Sequence, residues 1–185
     1  MLETRWFGDK PSLTNLPTSQ VSLLEYLDIP QINCLNEVNR HDLKSIVSSR
    51  SRNTGSSVLL SDADEQLLLN IPFNQAVRIR SVVIQSKKLS NGPKVIKLFV
   101  NRPALGFEDV QDMEAAQVLT LSEQDIKGGS RIPLRFVRFQ SVNSLHIFVE
   151  SNQTGEDQTQ IDVIDILGVP VEATKSLSGL KEQEG

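Results

Sequence analysis

The chain has 185 residues, 38% of them hydrophobic and 23% charged, with a formal net charge of −4. This length suits one domain with tails, and a core of about 150 residues buries roughly 68–70% of its unfolded surface without staples. The acidic balance argues against nucleic acid as the main partner, and the single cysteine excludes an internal disulfide or a Cys-x-x-Cys redox pair.

No apolar run approaches the ~20 residues needed to span a bilayer. The first residues lack a signal peptide's apolar middle region, so the expected setting is the cytosol or nucleus, where a lone thiol stays reduced. Charge is unevenly placed along the chain. Residues 1–77 carry a balance of −3, residues 78–138 a balance of +5 and residues 139–185 a balance of −6. The basic middle segment invites an acidic protein partner.

Residues 1–19, with Gly8, Pro11 and Pro17 among polar residues and Trp6-Phe7 as an aromatic pair, read as a linker or flexible arm. Ser19 and the stripe Val21, Leu24, Leu27 predict a helix over 19–28 that stops before Pro30. Cys34, between Ile32 and Leu35 and beside Glu37, reads as a small buried hydrophobe. The Ser- and Arg-rich stretch 48–57 predicts a mobile surface loop.

Ser61-Asp62-Ala63-Asp64-Glu65 has the density of acids that calcium loops use. The sixth and twelfth positions counted from Asp62 are Leu67 and Phe73, where an EF-hand needs Gly and Glu. The cluster therefore reads as local turn and capping chemistry. Residues 61–84 are the centre of the pattern: an apolar run at Leu67–Leu69, a break at Pro72-Phe73-Asn74-Gln75, then alternation from Val77. They predict two consecutive strands joined by a turn.

Further strands are predicted over residues 94–100, 131–139, 144–150 and 161–167. If Leu145, Ile147 and Val149 face the core, His146 points outward and Phe148 needs cover. A short helix is expected within 106–117, and Ser122-Glu123-Gln124-Asp125 has the form of a capping box. Residues from 172 onward read as a flexible tail. Strands separated by loops, with few helices, predict an all-β antiparallel sandwich.

No catalytic constellation is legible. His41 lies in a polar segment, His146 has no Gly-x-Ser-x-Gly elbow with it, and Gly128-Gly129 is no phosphate loop. The pairs Asp162/Asp165 and Asp62/Asp64 lie in no evident apolar pocket. Two histidines and one cysteine do not make a zinc site. No cofactor, metal or catalytic residue is assigned.

The segments Cys34-Leu35-Asn36-Glu37, Ser61–Leu68, Pro72-Phe73-Asn74-Gln75, Gly92-Pro93-Lys94, Lys97-Leu98-Phe99, Val137–Ser144 and Ile147–Gln153 together resemble the PITH domain, named for proteasome-interacting thioredoxin-like proteins. The resemblance covers roughly residues 20–175 and places the domain at 20–171. It implies a jelly-roll β-sandwich of galactose-binding-like type and binding to the proteasome regulatory particle. Familiar members carry a thioredoxin domain before this module, and residues 1–19 would suit either the connector to one or the leader of a stand-alone PITH protein. The expected function is a non-catalytic, monomeric docking module.

The basic side chains offered as the contact are Arg78, Arg80, Lys94, Lys97, Arg135 and Arg138. The tail after Glu172 is a second candidate, as a segment that folds onto a partner. The competing expectation, by fold analogy, is a small-ligand or carbohydrate-binding module, for which Phe107 is the one aromatic in the loops.

Overall fold

The computed structural model describes residues 20–171. The expected linker with Trp6-Phe7 and the tail after Glu172 lie outside them. Ten strands form the architecture: β1 (Val21–Ser22), β2 (Asn33–Leu35), β3 (Leu59–Leu60), β4 (Leu67–Gln85), β5 (Pro93–Val100), β6 (Gln117–Thr120), β7 (Ile132–Pro133), β8 (Val142–Asn152), β9 (Gln160–Ile161) and β10 (Val163–Pro170). Three short helices lie between them: α1 (Leu43–Val47), α2 (Phe107–Asp112) and α3 (Glu123–Gly128). Every pairing is antiparallel.

The long strand β4 serves both layers of the sandwich. Its first half, Leu67 to Pro72, pairs with β2 and β8, and β8 continues through β5 to β6. Its second half, from Val77 to Gln85, pairs with β10 and β7, and β10 pairs with β1. Between the layers lies one core, with Leu67, Leu69, Val77, Ile79, Ile147, Val149, Ile164 and Ile166 all essentially inaccessible to solvent. One strand at the centre of a single eight-stranded sheet lets a run of alternating residues feed both walls of that core, and β3 pairs separately with β9.

The expected turn at 72–75 is a corner instead. The β4–β8 register jumps between Pro72 and Val77, and Phe73 bridges to Leu27. A two-residue hairpin needs positive φ at its centre. No residue from 72 to 76 has one, so the chain bends without reversing. Pro72, paired with Ser144, is the last residue in register before the jump and has no N–H to give the ladder.

The described part of the helix expected at 19–28 is β1 followed by a 3-10 turn, Leu23–Tyr26, capped by Ser22; the expected cap Ser19 lies outside the described residues. Leu23, Leu24 and Leu27 are all buried, so the apolar stripe is used, but a segment this short gains too few helical hydrogen bonds to offset the cost of nucleating an α-helix. The strand expected at 131–139 shrinks to β7, after which Phe136–Phe139 forms a 3-10 turn anchored by buried Phe139.

The loop expected to be mobile is pinned. Arg52 Nε pairs with Asp165 Oδ2 at 2.6 Å, Arg50 donates to the carbonyls of Glu25 and Leu27, and Asn53 donates to that of Asp162. Asp165 also accepts from the Ser22 hydroxyl at 2.7 Å, so its buried charge is satisfied from two sides. The capping box at Ser122 is present: Asp125 N–H donates to Ser122 Oγ at 3.1 Å and Ser122 N–H to Asp125 Oδ2 at 2.9 Å. Helix α3 ends at Gly129, whose φ of 70° is left-handed.

Phe148 finds the cover its position required. With Leu68, Phe99, Leu105 and Val110 it forms a second small core on the outer face of the β2–β4–β8–β5 layer. Phe107 of α2 meets Phe148 edge to face, with ring centroids 6.1 Å apart. The same cover buries His146, which is 4% exposed and not outward in solvent as its alternation predicted. Strand alternation names the face of a residue but not whether a loop later closes over that face.

Candidate functional site: an arginine-rimmed turn and a polar cleft

Four of the six basic residues expected at a contact lie on or beside one turn. Arg78 and Arg80 flank inward-facing Ile79 on β4, and Arg80 stacks over the Phe136 ring at 5.0 Å. The chain reaches that turn through Leu134 N–H, which donates to the Arg80 carbonyl, and through Arg135 N–H, which donates to Gln117 Oε1 at 2.7 Å. The turn thus sits against the β6 edge. On it Phe136 is 49% exposed and Val137 74%, and Val118 of β6 is 53% exposed.

Among the described residues no carboxylate pairs with Arg78, Arg80, Arg135 or Arg138. The Nε atoms of Arg78 and Arg80 are covered yet lack a hydrogen-bond partner. Arg138, on the same turn, lines a recess with Arg102 and Glu114. The two lysines are elsewhere: both are on β5, and Lys97 faces Glu150 at 3.8 Å.

A second feature was not legible as a site. A cleft of about 440 Å3 opens on the outer face of the other layer, beside the small Phe148 core. Its floor is a row across the sheet, Asn33 opposite Asn70 and Asn70 opposite His146. Arg102 N–H donates to His146 Nε2 at 3.3 Å, with Ser144 Oγ 3.1 Å from the same nitrogen. That assigns the ring proton to Nδ1, which donates to Asn70 Oδ1 at 2.7 Å, and Asn70 Nδ2 donates to Asn33 Oδ1 at 2.9 Å. One signal was available. Asparagine is depleted from strands, yet Asn33 and Asn70 stand between apolar neighbours in two of them.

Ser144, His146 and Asn70 have the outline of a nucleophile, a base and an orienting group. The ring is a poor base, however. Burial lowers its pKa from 6.5 to about 4, and the nearby Arg102 guanidinium opposes protonation further. The Arg102 N–H also occupies the lone pair that would take the serine proton. The row is suited to holding donors in place rather than to moving protons.

The sign of this shift fixes a pH dependence. The unfolded ring takes its proton near 6.5 and the folded ring only near 4, so the unfolded state binds more protons between those values. Stability from neutral His146 is complete above that window and is lost as pH falls through it. After allowance for solvent screening at the open cleft, the loss is about 2 kcal/mol. Urea unfolding between about pH 7 and pH 4 will show it in the wild type and a smaller slope in His146→Gln.

Cys34 is buried, as expected. Burial raises its thiol pKa well above the ordinary value, and the Glu37 carboxylate adds to this. Iodoacetamide will leave it unmodified in the native chain and alkylate it in urea; rapid native labelling would refute the burial argument. Among the described residues no group of three or more His, Cys, Asp or Glu is placed to hold a metal, and no helix is long and apolar enough to cross a membrane.

The described residues form a jelly-roll β-sandwich of galactose-binding-like fold with two distinct surface features. A family 32 CBM from C. perfringens NanJ, solved in complex with galactose, superposes with a TM-score of 0.56 at 8% identity, over 80% of this chain and 98% of that one. That likeness concerns the fold alone. A family model for the PITH domain matches residues 14–185, and the chain belongs to that family. It is 44% identical over 155 residues to thioredoxin-like protein 1 of Schizosaccharomyces pombe, covering 81% of this chain and 52% of that protein. It is 33% identical to a PITH domain-containing protein of Drosophila melanogaster, covering 83% and 72%. The chain thus spans about half the length of the fission-yeast relative.

Some of the segments that carried the family resemblance are joints of the fold. Asn36, left-handed at φ 71°, accepts Ala63 N–H and donates to the Gln66 carbonyl, binding Cys34–Glu37 to the acidic loop. Gln153 donates to the carbonyls of Pro93 and Leu121.

Proposed function

We propose that this chain is a non-catalytic interaction module that docks the protein carrying it onto the proteasome regulatory particle, in the cytosol or nucleus. The family name implies that partner class, and the relationship to a thioredoxin-like protein supports a module that serves an attached activity. The observation that carries the reading is the turn at Phe136–Phe139. An exposed aromatic and an exposed aliphatic side chain stand together, rimmed by guanidinium groups with no acidic partner among the described residues. Interfaces are rich in aromatic and arginine anchors at their energetic centres. An acidic partner surface would pair the arginines and cover Phe136 and Val137.

Of the six basic residues, Arg78, Arg80 and Arg135 are the proposed contacts, with Arg138 at the rim. Lys97 is spent on Glu150, and Lys94 lies away from the turn on β5. The carbohydrate-binding alternative has less support. Phe107 is packed on Phe148, and among the described residues no Phe, Tyr or Trp lines the 440 Å3 cleft.

The test is binding of the purified 185-residue chain to purified regulatory particle at low and high salt. Saturable binding that weakens with salt is expected. A folded chain that does not bind would show that the module serves another partner or needs an attached domain.

A further inference from the structure

We propose that the cleft over Asn33, Asn70 and His146 is a binding site for the terminal carboxylate of an extended peptide, the chain end of a partner protein. It is built from different residues than the docking turn, and it stands or falls independently of the proteasome reading.

The charge of the cleft points to an anion. No Asp or Glu lines it, whereas Arg102 does, with no ion pair among the described residues. His146 is neutral at physiological pH and adds no second charge. One guanidinium without other cations matches a singly charged carboxylate better than a phosphate.

The hydrogen-bond row biases the cleft toward donors. His146 Nδ1–H occupies Asn70 Oδ1, and Asn70 Nδ2 occupies Asn33 Oδ1. The oxygens of both amides are therefore used inside the row. Asn33 Nδ2 has no partner among the described residues, and exposed Gln31 lies beside it at the mouth. Arg102 and Asn33 thus offer N–H groups to a ligand rich in acceptors, as a peptide end with its carboxylate and carbonyls is.

The walls are apolar and fixed. Leu35, Pro72, Pro103 and Leu105 line the cleft and suit an aliphatic last side chain. The wall carrying Arg102 is set by Asn101, left-handed at φ 58°. Its Oδ1 accepts Asn143 N–H at 2.7 Å and Ser144 N–H at 3.3 Å, and its Nδ2 donates to the Ser141 carbonyl. A site held this way loses little entropy on binding. At about 440 Å3 it is far larger than a lone small carboxylate, and it lies in the usual range for sites of drug-sized ligands.

The test is NMR titration of the 185-residue chain, following the Asn33 side-chain amide and the Arg102 and Ser144 backbone N–H signals. The probes are acetylated tripeptides ending in Ala, Val or Leu, as free acids and as C-terminal amides, with sodium acetate as the small carboxylate. At least one free acid should shift these signals saturably, about tenfold tighter than its amide and than acetate. Arg102→Met, at an exposed position, should weaken it about tenfold with the spectrum otherwise kept, and Asn33→Ala should weaken it less.

Equal binding of acid and amide, or no saturable shift with any probe, overturns the carboxylate site. Acetate as tight as the best peptide overturns the peptide assignment. Full affinity in Arg102→Met removes the guanidinium from the site.

Discussion

Gly168→Ala will destabilise the chain by about 3 kcal/mol and lower its urea midpoint accordingly. A Cβ at Gly168 would collide with the Arg78 carbonyl oxygen and crowd the Ile79 backbone. These are backbone atoms of the neighbouring strand and cannot rotate away. The site lies at a bulge, because Leu167 pairs with Ser81 and Gly168 with Ile79, leaving Arg80 as the extra residue on β4. That bulge sends Arg78 and Arg80 to the outer face while Ile79 and Val82 both keep to the core. Glycine is required here by close approach of two backbones. A variant within about 0.5 kcal/mol of wild type would mean that the strands separate without cost and that the bulge is not a fixed feature.

The second large effect concerns docking. Phe136→Ala is expected to weaken binding to the regulatory particle about tenfold to thirtyfold, the range of a central aromatic anchor worth about 2 kcal/mol. Reversing charge in Arg80→Glu/Arg135→Glu should reduce it by about a hundredfold at low salt and by less at high salt, where the steering charge is already screened. Phe136 and Arg135 are exposed, and among the described residues no carboxylate pairs with half-buried Arg80, so circular dichroism and urea midpoint should stay near wild type for Phe136→Ala. Lys94→Glu, on β5, serves as the charge control and should bind normally. Intact binding after reversal of Arg80 and Arg135 would exclude this turn as the contact.

Much of the sandwich was visible in the chain because strand chemistry is local. Val95–Phe99, Leu145–Val149 and Ile161–Leu167 showed themselves through β-branched and aromatic content, and Ser122–Asp125 through capping. The departures have physical causes. At 72–75, proline and asparagine have the composition of a turn, but only the pairing of β4 with strands on both layers makes it a corner. At 131–139, an alternating run looks like a strand, yet Pro133 and the burial of Phe139 turn the chain after two paired residues. At 48–57, serine and arginine look solvated until Asp165, more than a hundred residues later, supplies the charge that pins Arg52.

The sites followed the same division. Local sequence named the basic residues but could not sort them, because Arg80 and Phe136 meet only when β7 lies beside β4. The cleft was hidden for a stronger reason. Asn33, Asn70, Arg102 and His146 come from four separate segments, and each alone is an ordinary polar residue.

What the sequence by itself determined was the class of domain, the strand-bearing segments, the buried cysteine and the family. These depend on periodicity and composition within a few residues. The tertiary structure alone decided which polar groups are neighbours. Hydrogen bonds and charge pairing act over a few ångströms in space, whatever the distance along the chain.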